Sequence, residues 1–222
     1  GDNTAVGYRA LKTQNAGADG YNVAVGSYAG TAITTGRKNT LMGNYVADVL
    51  TDADFNTAIG YASLSSDTLG SKSTAIGHGT LSAQNFTSAT DSQNTAVGYN
   101  CGANLTTGIR NTLVGHLCGE DFTDADFNTA MGHGALDADT KGNRTVAIGY
   151  NALSTQNFTT STDSHNVAVG FGAGIAVNTG VLNTFVGSNA GGSNTSGYDN
   201  VCIGRDSGLT GSDAGGSGCV TG

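Results

Sequence analysis

Asn94-Thr95-Ala96-Val97-Gly98 is one copy of a five-residue motif that recurs along the whole chain. Twelve glycines end copies of it, and the gaps between them are 17 residues, except for two gaps of 21 and one of 19. A short period that persists over a full chain predicts a solenoid in which each repeat forms one coil. The motif glycines are Gly7, Gly26, Gly43, Gly60, Gly77, Gly98, Gly115, Gly132, Gly149, Gly170, Gly187 and Gly204.

The three residues before the glycine predict a short β-strand, because β-branched residues alternate there with a small apolar one. Side chains alternate along a strand, so Thr95 and Val97 face one way and Ala96 the other. We expect the Val97 face to line the coil interior. The Ala96 face is apolar too, which favours packing against identical chains around an axis.

A longer repeat of 72 residues, made of three 17-residue coils and one 21-residue coil, is superimposed on the motif. It predicts that the extra residues of the long coils form polar bulges at 83–93 and 155–165. No change of composition divides the chain, which indicates one domain over 1–222. The four-coil units are 22–93, 94–165 and a partial third unit over 166–222.

The fold prediction is therefore an all-β parallel β-solenoid of about twelve coils. Glycines seven positions before many motif glycines predict a second corner, and hence a flattened β-roll with two main strands per coil. The asparagine that begins most motif copies should form a ladder, since stacked amides can bond the coils above and below. A structural role for this ladder is favoured over ligand binding, because the turns of a solenoid need satisfied polar groups.

The Asn-Thr-Ala-Val-Gly-Tyr string at 94–99 resembles the head repeats of trimeric autotransporter adhesins and the repeats of bacteriophage and bacterial tail-fibre proteins. The resemblance covers all twelve copies. It implies a left-handed β-roll and a homotrimer, in an extracellular, cell-surface or virion fibre. By position it places Val97 in the core and Ala96 towards the trimer axis. The coils here are longer than in the adhesin heads, and the cysteines are unusual for such repeats.

Composition excludes several classes of function. The chain has 36 glycines, no proline, 12% charged residues and a net charge of −8 without a basic cluster, so nucleic-acid binding has little electrostatic support. No apolar run approaches the ~18 residues of a membrane span. We find no catalytic motif and predict no enzymatic activity and no cofactor. The chain has neither an initiator Met nor a signal-peptide pattern, and we expect it to continue into neighbouring domains or to stack head to tail.

The residue after the motif glycine is aromatic on seven consecutive coils. Such a column could stack on sugars, or it could be a packed corner of the solenoid. Both alternatives stay open. The column contains Tyr61, His78, Tyr99, His116, His133, Tyr150 and Phe171.

Two groups of side chains have residue types that bind metals, and each also has a structural interpretation. His116 and His133 lie on neighbouring coils and could begin a metal site, although no acid or cysteine completes their column. Two carboxylate pairs, Asp52 with Asp54 and Asp124 with Asp126, could contribute to a calcium site. Turns capped by aspartate are the favoured interpretation of these pairs, and no metal is predicted.

The four cysteines form two pairs at the coil spacing of 17 residues: Cys101 with Cys118, and Cys202 with Cys219. Equivalent positions on stacked coils should lie about 4.8 Å apart, within the Cα separation of a disulfide. We therefore predict two disulfides and an oxidising location outside the cytosol. Buried free thiols are the alternative.

The leading functional hypothesis is a structural fibre segment, either a rigid shaft or an adhesin head, whose partner is itself. A carbohydrate-binding module that uses the aromatic column on a host-cell glycan is the alternative. A glycan-degrading tailspike is less favoured, because no pair of carboxylates stands out from the repeat.

Overall fold

The computed structural model describes residues 1–15 and 19–208, together with the backbone of the strand Cys219–Val220. Consecutive motif segments pair in parallel and build one 13-stranded sheet. The predicted all-β parallel β-solenoid is confirmed, and none of the residues in these ranges is helical. The strands of this sheet are Thr4–Val6 (β1), Val23–Val25 (β2), Thr40–Met42 (β3), Thr57–Ile59 (β4), Thr74–Ile76 (β6), Thr95–Val97 (β8), Thr112–Val114 (β9), Thr129–Met131 (β10), Val146–Ile148 (β12), Val167–Val169 (β14), Thr184–Val186 (β15), Val201–Ile203 (β16) and Cys219–Val220 (β17).

Each motif stacks directly on the next without a shift in register. Ala96, for example, pairs with Ala75 of the preceding coil and Leu113 of the following one. The predicted second main strand does not form a continuous sheet; turns make up most of the remaining circumference. The only other strands that the structure describes belong to two short pairs, Gly70–Ser71 (β5) with Thr90–Asp91 (β7) and Gly142–Asn143 (β11) with Thr162–Asp163 (β13).

These short pairs form where the long coils carry their extra residues. Between Phe86 and β7 the chain loops outward, and Thr87 to Ala89 are exposed. Phe158 and the exposed residues after it repeat this arrangement 72 residues later. The predicted position of the bulges is confirmed.

The orientation predicted for the motif strand is wrong. Ala96 and Ala130 are 0% exposed, as are nearly all of their counterparts, whereas Thr95 and Val97 are only half-buried. The face with Ala, Leu, Phe or Cys therefore lines the interior, and the face with Thr and Val points outward. The reason is the asparagine two positions before the alanine, which must be buried to bond neighbouring coils; alternation then turns the alanine inward with it.

The buried asparagines form the expected ladder. The Asn111 side-chain amide donates to the Ala125 carbonyl oxygen at 2.7 Å, and its side-chain oxygen accepts from the Asn128 backbone N–H at 3.0 Å. The Asn111 N–H in turn donates to the side-chain oxygen of Asn94 at 2.9 Å. The same bonds recur along the chain, so each asparagine ties its coil to the next.

A second polar arrangement replaces the ladder at Ser73 and Thr145, the two positions where the motif lacks asparagine. The Ser73 hydroxyl lies 2.5 Å from the Ser92 hydroxyl, and the buried Gln84 amide donates to Ser73 at 2.9 Å and to Asp67 at 2.6 Å. The Gln84 side-chain oxygen accepts from Asn94, where the ladder resumes. Gln84 and Ser92, which flank the bulge, thus surround the position that lacks asparagine with substitute hydrogen bonds.

Interior packing explains the four-coil repeat. Eight of the twelve coils place alanine in the strand, and five of these eight place leucine four residues after the motif glycine. Leu41, Leu113 and Phe185, which are 72 residues apart, occupy the strand position in their coils, and a glycine lies opposite each of them. A Cβ added to Gly102 would approach Leu113 Cδ1 to 2.9 Å. Large and small residues therefore alternate to keep the core volume constant.

Steric constraints explain why glycine ends each motif. Gly98 has φ +145°, and a Cβ there would come within 1.9 Å of the Gly115 carbonyl oxygen. The column of motif glycines lets the chain turn while adjacent coils remain in contact.

Replacing Gly98 with alanine should destabilise the solenoid by about 3 kcal/mol, because it combines backbone strain with a clash against backbone atoms that cannot move aside. Urea unfolding followed by circular dichroism measures the effect. Ser88→Ala, on the exposed bulge, is the control and should change stability little. Equal stability of the two variants would contradict the packing described for the glycine column.

Asn111→Ala should cost about 2–4 kcal/mol, because it leaves the Ala125 carbonyl and the Asn128 N–H buried without partners. Asn104→Ala, in the preceding coil, is the control: Asn104 is exposed, and its side-chain amide donates to Asp121 at 3.1 Å on the surface. A similar loss for both variants in the same unfolding assay would show that the ladder is not what stabilises the coils.

Candidate functional site

The largest distinctive surface is the outer side of the 13-stranded sheet. We call it the outward face and define it by two ranks of side chains, three residues and one residue before each motif glycine. The first rank holds Thr or Val. The second holds the apolar residues Val6, Val25, Met42, Ile59, Ile76, Val97, Val114, Met131, Ile148, Val169, Val186 and Ile203.

The apolar rank is partly open to solvent in the single chain. Val6 and Ile203, in the first and last of these coils, are 57% and 56% exposed, Met42 is 46% exposed, and seven of the twelve members are half-buried. The five-residue motif segments that carry these ranks, at ~3.3 Å per residue and ~4.8 Å per coil, have a footprint of about 58 by 17 Å, on the order of 1,000 Å², and the apolar rank runs along its whole length. Monomeric proteins seldom expose an apolar patch beyond a few hundred Å². The outward face is therefore a candidate assembly surface.

The seven predicted aromatic residues do come together in one exposed stack, which we call the aromatic ladder. Its ring centroids are 4.9–5.4 Å apart from Tyr61 to Phe171, with interplanar angles of 6–18°. The ladder continues through three residues that the prediction missed, Tyr45, Tyr28 and Tyr8.

Two of the missed rings, Tyr28 and Tyr45, lie two residues after the motif glycine instead of one. They stack on each other at 5.1 Å and meet the flanking tyrosines edge to face. Their backbones have φ near +60°, as this position has in the other coils. The sequence feature that could have predicted their place in the ladder is a tyrosine displaced by one position in two consecutive coils.

Stacking changes what the ladder can offer a ligand. Between Tyr61 and Phe171 each ring covers the face of its neighbour, so the rings present their edges to solvent. Sugars stack on ring faces. Such faces are left accessible only at the outer side of Phe171 and at the edge-to-face contacts of Tyr28 and Tyr45. Sugar binding by the ladder stays a prediction, with its best surfaces at those places.

His116 and His133 stack in parallel, 4.9 Å apart at 6°. Beside them lies a cluster of carboxylates, Glu120, Asp121 and Asp137. Burial, together with repulsion from the other carboxylates, raises the pKa of Glu120 and of Asp137. In the part of the chain that the structure covers, no group of three or more His, Cys, Asp or Glu side chains has metal-binding geometry.

The two aspartate pairs bond the preceding coil. Asp54 accepts from the Arg37 N–H at 2.7 Å, and Asp52 accepts from the Thr35 hydroxyl at 2.6 Å. Asp126 accepts from the Ile109 N–H at 2.7 Å in the same way, and Asp124 accepts from the Thr107 hydroxyl at 3.0 Å. These bonds match the turn-capping interpretation.

The predicted Cys101–Cys118 disulfide is not formed: both residues are buried free cysteines. They occupy a column of small buried residues, and the Cys118 thiol donates to the Ala130 carbonyl oxygen at 3.1 Å, as the Ser63 hydroxyl does to Ala75 at 2.9 Å. This contact within the coil directs the sulfur to a carbonyl. Hydrogen bonding with Cys101 and burial raise the pKa of the Cys118 thiol.

The second predicted pair has the expected backbone register, since Cys202 lies opposite Cys219 in adjacent strands. The Cys219 side chain lies outside the described residues, so a Cys202–Cys219 disulfide stays a prediction.

Comparison with known proteins identifies no relative: no protein family, no curated protein and no solved structure matches the chain. Within the described ranges no helix has the length and apolar character to cross a membrane.

The raised pKa values predict an unusual pH dependence. Folded Glu120 and Asp137 bind protons more readily than in the unfolded chain, so the free energy of unfolding should increase as pH falls from neutral through their raised pKa values. Buried Asp67 and Asp139, whose pKa values are raised mainly by burial, act in the same direction.

Asp137→Asn should raise the melting temperature at pH 7 and reduce its change between pH 7 and pH 5, because one repelling charge is removed. Asp2→Asn, at an exposed position, is the control. Thermal unfolding at both pH values measures this. A melting temperature that falls on mild acidification would contradict the expected sign.

Proposed function

We propose that this chain is a rigid, self-assembling segment of an extracellular or virion fibre, a shaft or an adhesin head, in which copies of the chain associate through the outward face. The proposal assigns it no catalytic role. The observation that carries it is the continuous apolar rank of the outward face. The resemblance of the motif strings to adhesin and tail-fibre repeats supports the fibre context and the location outside the cell.

The size of the outward face suits a protein partner. About 1,000 Å² per chain is close to the ~800 Å² that each partner contributes to a standard stable interface. The face has no buried charge to desolvate, since its two ranks hold Thr, Val, Ile and Met. A partner of the same length and repeat would cover every coil, and a second copy of this chain meets that requirement.

A trimer fits the dimensions of the face. Three faces ~17 Å wide, arranged as a triangular prism, lie about 5 Å from the axis, half of the ~10 Å separation of packed sheets. One layer of Thr, Val, Ile and Met side chains from each chain would fill that space. A homotrimer of left-handed solenoids, as the resemblance implies, is the assembly that we propose.

Rigidity follows from the bonding between coils. Backbone pairing, the asparagine ladder and the aromatic ladder all run along the solenoid axis, with no linker in the described sheet. A fibre segment that holds a terminal domain away from a surface needs this resistance to bending.

Carbohydrate recognition is the second candidate function, favoured by the exposure of the aromatic ladder. A glycan array with the intact chain tests it. Specific binding that is lost in Phe171→Ala, whose outer ring face is free of ladder stacking, would support this function.

Light scattering tests the assembly. The native chain should have the mass of three chains at micromolar concentration. Val97→Lys combined with Ile148→Lys should yield folded monomers, because charges on the outward face oppose association without entering the core. Asn104→Lys, on an exposed turn, is the control and should remain trimeric. A native monomer with an unchanged circular dichroism spectrum would overturn the proposal.

A further inference from the structure

Two exposed columns border the outward face. The trailing edge consists of the residue after each motif glycine and includes most of the aromatic ladder. The leading edge consists of the residue five positions before each motif glycine, and all of its members are exposed. They are Asp2, Tyr21, Lys38, Phe55, Lys72, Gln93, Arg110, Phe127, Arg144, His165, Leu182 and Asp199.

The leading edge has its own chemical pattern. The Arg110 and Arg144 guanidinium carbons lie 5.3 and 5.1 Å from the centroid of the Phe127 ring between them. Lys38, Phe55 and Lys72 repeat this cation–aromatic–cation order 72 residues earlier, with the Lys38 ammonium 4.9 Å from the Phe55 ring.

The cations of this edge keep exposed surface despite contacts within the chain. Lys72 pairs with Asp91 at 2.5 Å, and Arg144 pairs with Asp163 at 3.0 Å. Both side chains nevertheless remain nearly half exposed, 44% for Lys72 and 48% for Arg144. They can therefore contact a second chain without giving up these pairs.

Symmetry decides which columns meet. In any cyclic assembly whose axis runs along the solenoid, the leading edge of one copy faces the trailing edge of the next at the same height. Across the interface, the leading-edge residue of each coil therefore faces the trailing-edge residue of the same coil in the next copy. The resulting rows include Phe55 with Tyr61, Arg110 with His116, Phe127 with His133, Arg144 with Tyr150, His165 with Phe171, and Asp199 with Arg205.

These rows are chemically complementary. Arginine donors meet a tyrosine hydroxyl or an imidazole, which can accept a hydrogen bond, and aromatic rings meet aromatic rings. Arg205 is the only Lys or Arg of the trailing edge, and it falls in the same row as Asp199. The Arg205 side chain is 82% exposed while bonded to Asp206 at 2.9 Å. A shift of one coil would remove the Asp199–Arg205 row.

We propose that neighbouring copies of this chain join edge to edge in coil register, with Asp199 of one copy paired to Arg205 of the next and Arg144 beside Tyr150. The inference rests on the proposed self-association through the outward face and adds the partner's contact residues and register.

Cysteine cross-linking tests the register in the full chain. Arg144→Cys with Tyr150→Cys should give, on mild oxidation, covalent species up to the number of subunits found by light scattering. The two positions lie on opposite sides of the strand Val146–Ile148, six residues and up to ~20 Å apart, so a bond within one chain is not expected. Arg110→Cys with Tyr150→Cys, displaced by two coils or ~10 Å, is the control and should stay uncross-linked.

The outcomes separate the two proposals. Native monomers in light scattering would overturn both. An intact oligomer in which the Arg144/Tyr150 pair does not cross-link, or in which the displaced pair cross-links as well, would overturn the register and leave self-association standing. The unmodified chain reports any background from the native cysteines.

A charge exchange gives an independent measurement. Asp199→Lys alone should weaken assembly about tenfold in the dissociation constant, because it opposes Arg205 across the interface. Adding Arg205→Asp to that variant should restore assembly, since opposite charges again meet. Failure of the double variant to recover, with the fold intact by circular dichroism, would contradict the proposed pair.

Discussion

The buried amide of the motif asparagine is the interaction on which the rest of the structure depends. One side chain satisfies a carbonyl of its own solenoid turn and the N–H of the next turn, so it closes a coil and stacks it at once. Its inward position also fixes which strand residues are buried. The alanine column, the outward ranks and the two exposed edges all follow from it.

The same constraint explains why the chain is built from four-coil units. A narrow interior tolerates little variation in volume, so leucine or phenylalanine in the strand requires glycine opposite. Likewise, a coil without the asparagine needs substitute hydrogen bonds, which Gln84 and Ser92 supply from either side of the bulge. A residue that departs from the motif in one coil is thus compensated, in volume or in hydrogen bonding, by another residue of the same four-coil unit.

Much of this architecture could be predicted from the sequence, because a strict period determines which residues of adjacent coils lie opposite each other. The parallel stacking, the position of the bulges and the asparagine ladder needed only the spacing of the glycines. The orientation of Ala96 was missed because both strand faces are apolar; following the asparagine inward would have resolved it. Tyr28 and Tyr45 were missed because they stand one position later than the other aromatic residues, and spacing alone does not show that their rings reach the column. The Cys101–Cys118 disulfide was predicted wrongly because spacing gives the distance between coils and not the direction of a side chain.

The parallel stacking has a mechanical consequence. Hydrogen bonds between coils lie along the solenoid axis, whereas the chain within each coil runs around it. A pulling force on the two ends therefore loads the coil contacts in series, and coils should detach one at a time. Each 17-residue coil would release roughly 60 Å of chain and each 21-residue coil roughly 75 Å. Under tension the molecule would lengthen in discrete steps of two sizes, with three short steps for every long one.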